Sequence, residues 1–185
     1  MTEHEDELQP QYDPNTLRDE YPDPAAVDAR IEQLRTRIRV APDEIGELLA
    51  RGELVVLLRA SGHLDDAVHE AQLAVDRAEI AGTPPQQHLA RLRLAHVQQW
   101  RGDFARSNLA FTELTHAATQ FGPVIEAFTY HHAGLNAYDQ HDWTGARDHF
   151  VRALALREEF ELPDEQIEAS RIALAAAEQH LSGAP

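Results

Sequence analysis

The punctuation of this chain recurs with a period of about 40 residues, and that period restricts the fold more than any single motif does. Prolines that precede amphipathic runs stand at Pro42 ("APDEIGELL"), Pro84 ("TPPQQHLARL"), Pro123 ("GPVIEAF") and Pro163 ("LPDEQIEA"), at spacings of 42, 39 and 40. Proline suits the first turn of a helix, where its missing N–H is not needed, so each marks a helix start. A second series lies between them, "GHLDDA" from Gly62, "GDFARS" from Gly102 and "HDWTGA" from His141, spaced by 40 and 39. Each supplies a turn residue, a polar residue suited to capping the next helix, a bulky apolar residue (Leu64, Phe104, Trp143) and a small residue three positions on (Ala67, Ser107, Ala146).

Between these marks the apolar residues keep helical steps. Trp143, Ala146, Phe150, Ala153 and Leu154 form one stripe, as do Leu64, Ala67, Ala71, Ala74, Val75 and Ala78. No stretch alternates with period two, so no strand is predicted. Eight helices are expected, at 25–40, 43–60, 64–81, 85–101, 103–121, 124–140, 142–160 and 164–181. Connections of two to five residues make neighbours antiparallel, and hairpins too thin to bury a core alone must stack into a curved solenoid with a concave face.

Composition adds boundaries. The 185 residues are 43% hydrophobic, enough for one ordinary domain with a real core. Residues 1–24 carry Glu3, Glu5, Asp6, Glu7, Asp13, Asp19, Glu20 and Asp23 against Arg18 alone, with Pro10, Pro14, Pro22 and Pro24 interrupting any helix. They are expected to be a disordered acidic tail, with the folded domain over 25–181 and a flexible end at 182–185. A formal net charge of −16 repels phosphates, and no basic stripe offsets it, so nucleic acid is not the expected partner. No apolar run or leader pattern points to a membrane, and the expected location is cytoplasmic. Cysteine is absent, which removes disulfides and thiolate chemistry. All the basic residues are Arg and none is Lys, a bias of GC-rich genomes that suggests a bacterium.

The stretch "YDQHDWTGARDHF", residues 138–150, has the look of an active site but is explained by architecture. Trp143 is the bulky residue just inside a helix start, Gly145 and Ala146 are small where helices approach, and Asp142 is placed to cap free N–H groups. Eleven histidines raise the question of a metal, yet no two stand three or four apart as a helix-borne ligand pair requires, and the adjacent His131 and His132 diverge by about 100°. The serines lack a nucleophile-elbow context and no glycine-rich phosphate loop exists. No catalytic residue, metal or cofactor is expected.

The unit "YHHAGLNAYDQHDWTGARDHFVRALAL", residues 130–156, resembles the tetratricopeptide repeat family through Tyr130, Ala133, Gly134, the turn at His141, Trp143, Ala146, Phe150 and Ala153. Residues 94–114 fit through Leu94, Ala95, Gly102, Phe104, Ser107 and Phe111, and residues 54–74 through Leu54, Gly62, Leu64, Ala67 and Ala74. The repeat here is 39–42 residues instead of the family's 34, His141 replaces the turn glycine, and Leu114 replaces a small residue. The resemblance implies a right-handed all-α solenoid whose inner face comes from the first helix of each hairpin. Glu53, Val56, Arg59, Arg93, His96, Gln99, Trp100, Phe128, His131, His132, Leu135, Tyr138, Arg171 and Leu174 would then line it. It also implies a non-catalytic module that binds a protein or peptide. The family's lysine-based carboxylate clamp has no counterpart, since Lys is absent.

Two alternatives accompany that expectation. One is an accessory or regulatory subunit of an enzyme or transcriptional complex that uses the convex face or the acidic tail while the groove is self-occupied; the other is a small-ligand sensor or enzyme with its site at the His-rich third hairpin. The end helices also suit a homodimer.

Overall fold

A computed structural model describes residues 8 and 10–183; Glu3, Glu5, Asp6 and Glu7 of the expected tail lie outside the described residues. The eight expected helices are present as α1 (Pro24–Arg39), α2 (Glu44–Ala60), α3 (Leu64–Ala81), α4 (Pro84–Trp100), α5 (Phe104–Ala117), α6 (Pro123–Asp139), α7 (Trp143–Glu159) and α8 (Asp164–Ser182). A single 3-10 turn, Ala118–Phe121, tightens the end of α5.

The local chemistry accounts for these limits. Pro24, Pro84 and Pro123 open their helices, and the carboxylates of Asp23, Asp43, Asp103 and Asp142 accept from backbone N–H groups of the first turns of α1, α2, α5 and α7. α2, α4 and α6 end alike. Gly62 (φ 78°), Gly102 (φ 75°) and His141 (φ 60°) stand in the left-handed region, and the next N–H reaches back to Leu58, Gln98 and Ala137 respectively. His141 thus takes, as a strained non-glycine residue, the role that glycine has at the two earlier turns.

Consecutive helices pack against one another, as in an α-helical solenoid. α2, α4, α6 and α8 also meet each other directly, whereas α3, α5 and α7 mainly touch the helices before and after them. The even-numbered helices therefore form the closer row, termed the inner row. Core residues are contributed by both rows: Leu54, Leu57 and Leu58 join Val27, Ile31 and Leu34 at one end, and Phe150, Ala173 and Ala177 close the other.

One expectation fails. Residues 11–20, assigned to a disordered tail without strands, form an antiparallel hairpin of β1 (Gln11–Asp13) and β2 (Arg18–Glu20), with Tyr12 opposite Asp19. Asp13 holds the turn through Asn15 N–H at 2.9 Å and Thr16 Oγ1 at 2.7 Å. The acidic, proline-rich composition that argued against a core is outweighed by Tyr12, Leu17 and Tyr21, which find apolar surface supplied by distant helices.

Candidate functional site

The inner row presents a band of aromatic, histidine and arginine side chains, and the hairpin lies on it. From α2, Arg59 reaches the His96 ring and stands over Trp100, its guanidinium carbon 4.8 Å from the ring centre. Trp100 Nε1 donates to His96 Nε2 at 3.2 Å. The His96 ring meets His132 edge-on at 4.4 Å, and His132 stacks obliquely on Phe128 at 4.2 Å while its Nδ1 faces the Phe128 carbonyl at 2.9 Å. His131 adjoins Ser170 of α8 at 3.3 Å, and Ser170 accepts from Arg157 of α7 at 2.7 Å. Adjoining histidine rings thus link two polar clusters, Arg59–Trp100–His96 at α2 and α4 and His131–Ser170–Arg157 at α6, α7 and α8.

These histidines are neutral. Burial, aided by Arg59, holds His96 well below the usual imidazole range; burial with Arg157 does the same for His131, and burial takes His132 down to about 3 against the pull of its bond to the Phe128 carbonyl. Only donors press on His96 from Trp100 and Arg59, so an additional proton there has no acceptor. The guanidinium groups bear the cost of the same burial: Arg59 and Arg157 are both lowered to about 10, although Asp19 and Tyr12 oppose the shift. Among the described residues, no three His, Cys, Asp or Glu side chains are arranged to hold a metal ion.

The hairpin covers this band. Leu17, 2% exposed, packs with Leu135, Tyr138 and Phe150, and Tyr12 packs beside it. Arg18 pairs with Asp139 at 3.0 Å and lies 4.5 Å over the Trp100 ring, while Asp19 stands 3.6 Å from Arg59. Tyr138 donates to the Asn15 carbonyl at 3.4 Å.

Of the groove residues expected from sequence, Arg59, His96, Gln99, Trp100, His131, His132, Leu135 and Tyr138 are brought together here, as parts of a covered seam instead of an open surface. Phe128 supports His132 from behind. Arg93 lies across the flat face of Gly52, where a Cβ atom would stand 3.1 Å from its guanidinium carbon. Arg171 is exposed and pairs with Glu158 of α7 at 2.7 Å. Glu53 is engaged by Arg30 of α1 at 2.7 Å. Arg157 was missed because it belongs to α7, the second helix of a hairpin, and Ser170 was missed although it adjoins Arg171 on α8. Arg18 and Asp19 were missed with the hairpin itself; "YDPNTLRDEY", a turn signal flanked by aromatic residues, was the available sign of it.

Within the stretch 138–150, Asp142, Gly145 and Trp143 cap and pack the start of α7. Asp142 accepts from Gly145 N–H at 3.0 Å, and a side chain at Gly145 would collide with that carboxylate. Trp143 stacks on His180 at 4.0 Å with ring planes 10° apart, and Tyr138 meets both rings.

A second depression, of roughly 380 Å³, lies between α4 and α5, with Leu94, Leu109, Ala110, Leu114 and Phe121 among its walls. Leu109 is largely exposed there. No helix among the described residues is long and apolar enough to cross a membrane. No family model matches the chain, and no curated protein shows significant similarity to it.

Proposed function

We propose that this chain is a protein- or peptide-binding module of tetratricopeptide type, coiled right-handed, that acts through the inner face of its helical stack and catalyses no reaction. One observation carries the proposal: the inner face already holds an extended segment, residues 10–21, through side-chain contacts from α2, α4 and α6. Aromatic and arginine side chains, the residue types that most often carry binding energy at interfaces, dominate those contacts. The histidines of the seam are held neutral by burial and by the arginines beside them, which suits packing under a bound segment.

The alternative, an accessory subunit that meets its partner where α5 of the outer row borders α4, is favoured by the apolar depression between these helices and by Leu109 beside it. Affinity capture from the native lysate separates the two. Three baits of equal helicity are compared: the intact chain, Trp100→Ala and Leu109→Arg. A partner lost on Trp100→Ala and kept on Leu109→Arg supports the groove. The opposite pattern moves the function to the outer row, and a partner insensitive to both substitutions rejects the groove reading.

A further inference from the structure

The seam between hairpin and groove is imperfectly matched, and the mismatch has a chemical sign. Among the described residues, four buried polar side-chain atoms have no hydrogen-bond partner, and all four belong to this seam: Tyr12 Oη from the hairpin, and Arg59 Nε, Gln99 Oε1 and Arg157 Nε beneath it. Two of them are guanidinium donors on side chains that are at least 94% buried. Unmade hydrogen bonds of this kind cost free energy that a better acceptor recovers. The hairpin offers Arg59 one carboxylate, Asp19, and holds it at 3.6 Å, outside good hydrogen-bond range; it offers Arg157 only the neutral Tyr12.

The hairpin is also poorly anchored as an element. Its strands have three residues each, below what holds together alone in water. Leu17, its main anchor, sits at φ 56°, a left-handed conformation that is costly for a branched, non-glycine residue and persists only where the surroundings impose it. Pro22 and Pro24 flank the junction with α1, so the segment joins the helical stack through a short stiff arm.

We propose that residues 10–21 are an exchangeable occupant of the groove, and that its external ligand is an extended acidic segment of a partner protein that sets carboxylates against Arg59 and Arg157 and displaces the hairpin. This rests on the binding-module reading above. In a chain of net charge −16 the hairpin lies against the buried guanidinium groups of Arg59 and Arg157, with Asp139 the carboxylate that meets Arg18, so an acidic segment is attracted there and repelled elsewhere. The hairpin lowers apparent affinity by the fraction of time that it occupies the site.

The absence of cysteine makes a clean test possible. In the full chain, Arg18→Cys and Asp139→Cys are joined by a short bismaleimide that contains a reducible bond, and the same sample is assayed before and after reduction. The probe is a fluorescent synthetic peptide with the sequence of residues 10–23, compared with one carrying Asp19→Asn and Glu20→Gln. The expected result is about ten-fold or greater tightening on reduction, with the neutralised peptide weaker on the reduced form and the Arg59→Gln, Arg157→Gln chain losing the distinction between peptides. Equal binding before and after reduction overturns the gating. Equal binding of the two peptides overturns the acidic specificity. Either failure leaves the groove reading to the lysate capture, which tests it independently. If the cysteine chain folds poorly, hydrogen exchange of the unmodified chain decides: the acidic peptide should speed exchange in residues 10–21, and unchanged exchange at saturating peptide overturns the proposal.

Discussion

At the scale of single residues, close approach decides what is allowed. Gly134 of α6 faces Phe150 of α7, and a Cβ atom built at position 134 would lie 2.4 Å from Phe150 Cε1. Phe150 is fully buried and has nowhere to turn. Gly134→Ala should therefore destabilise the protein by about 1–3 kcal/mol, the usual cost of overpacking, even though alanine is the better helix former. Urea denaturation checks this; an unchanged or raised midpoint would show that α6 and α7 can move apart. Both residues were picked out in the sequence as repeat positions, one small and one large. Their pairing was legible because a 3.6-residue period and a short turn bring them to the same level of adjacent helices.

At the scale of elements, helices and hairpin differ in how they are held. Each helix makes its own hydrogen bonds and loses little by waiting for its neighbours, so proline, cap and turn residues announce its ends in the sequence. The agreement is close for α3, α4 and α7, whose marks are strongest. The hairpin has few bonds of its own and depends on the groove for Leu17, Arg18 and Asp19. Its amides should exchange with solvent well before those of α4 and α6, through an opening that leaves the helices intact. Hydrogen exchange followed by mass spectrometry reads this directly. Exchange of residues 11–20 at the same rate as the helical core would mean that hairpin and helices unfold as one unit.

At the scale of the whole molecule, histidine burial couples pH to stability. His88, His96, His131, His132 and His149 are all lowered in the folded protein, chiefly by burial. Below the unfolded value near 6.5 the unfolded chain takes up protons that the folded chain refuses, so stability is full above that pH and declines as the pH falls through it. Asp19 acts in the opposite sense at lower pH, because its burial raises the carboxyl and the folded state there binds the extra proton. Between pH 7.5 and 5.5 the histidines dominate, with a loss on the order of 1 kcal/mol for each fully buried ring. A urea midpoint that does not fall over that interval would show that the rings are solvated. The same shifts argue against an interface that changes charge between pH 5.5 and 7.5, the behaviour that exposed histidines would have produced.

What the sequence determined by itself is the periodic part of the protein: eight helices with their caps and turns, each packed against the next. These follow from interactions within a few residues along the chain, or between positions related by one repeat. What only the tertiary structure decided is the occupant of the groove and the charge state of its histidines. Residues 10–21 read as unfoldable because no local interaction repays their ordering. The burial of Leu17 among Leu135, Tyr138 and Phe150, and the approach of Asp19 to Arg59, come from partners that the repeat itself must first bring together. Desolvation is likewise a property of the assembled seam, since whether a histidine stays neutral depends on what covers it.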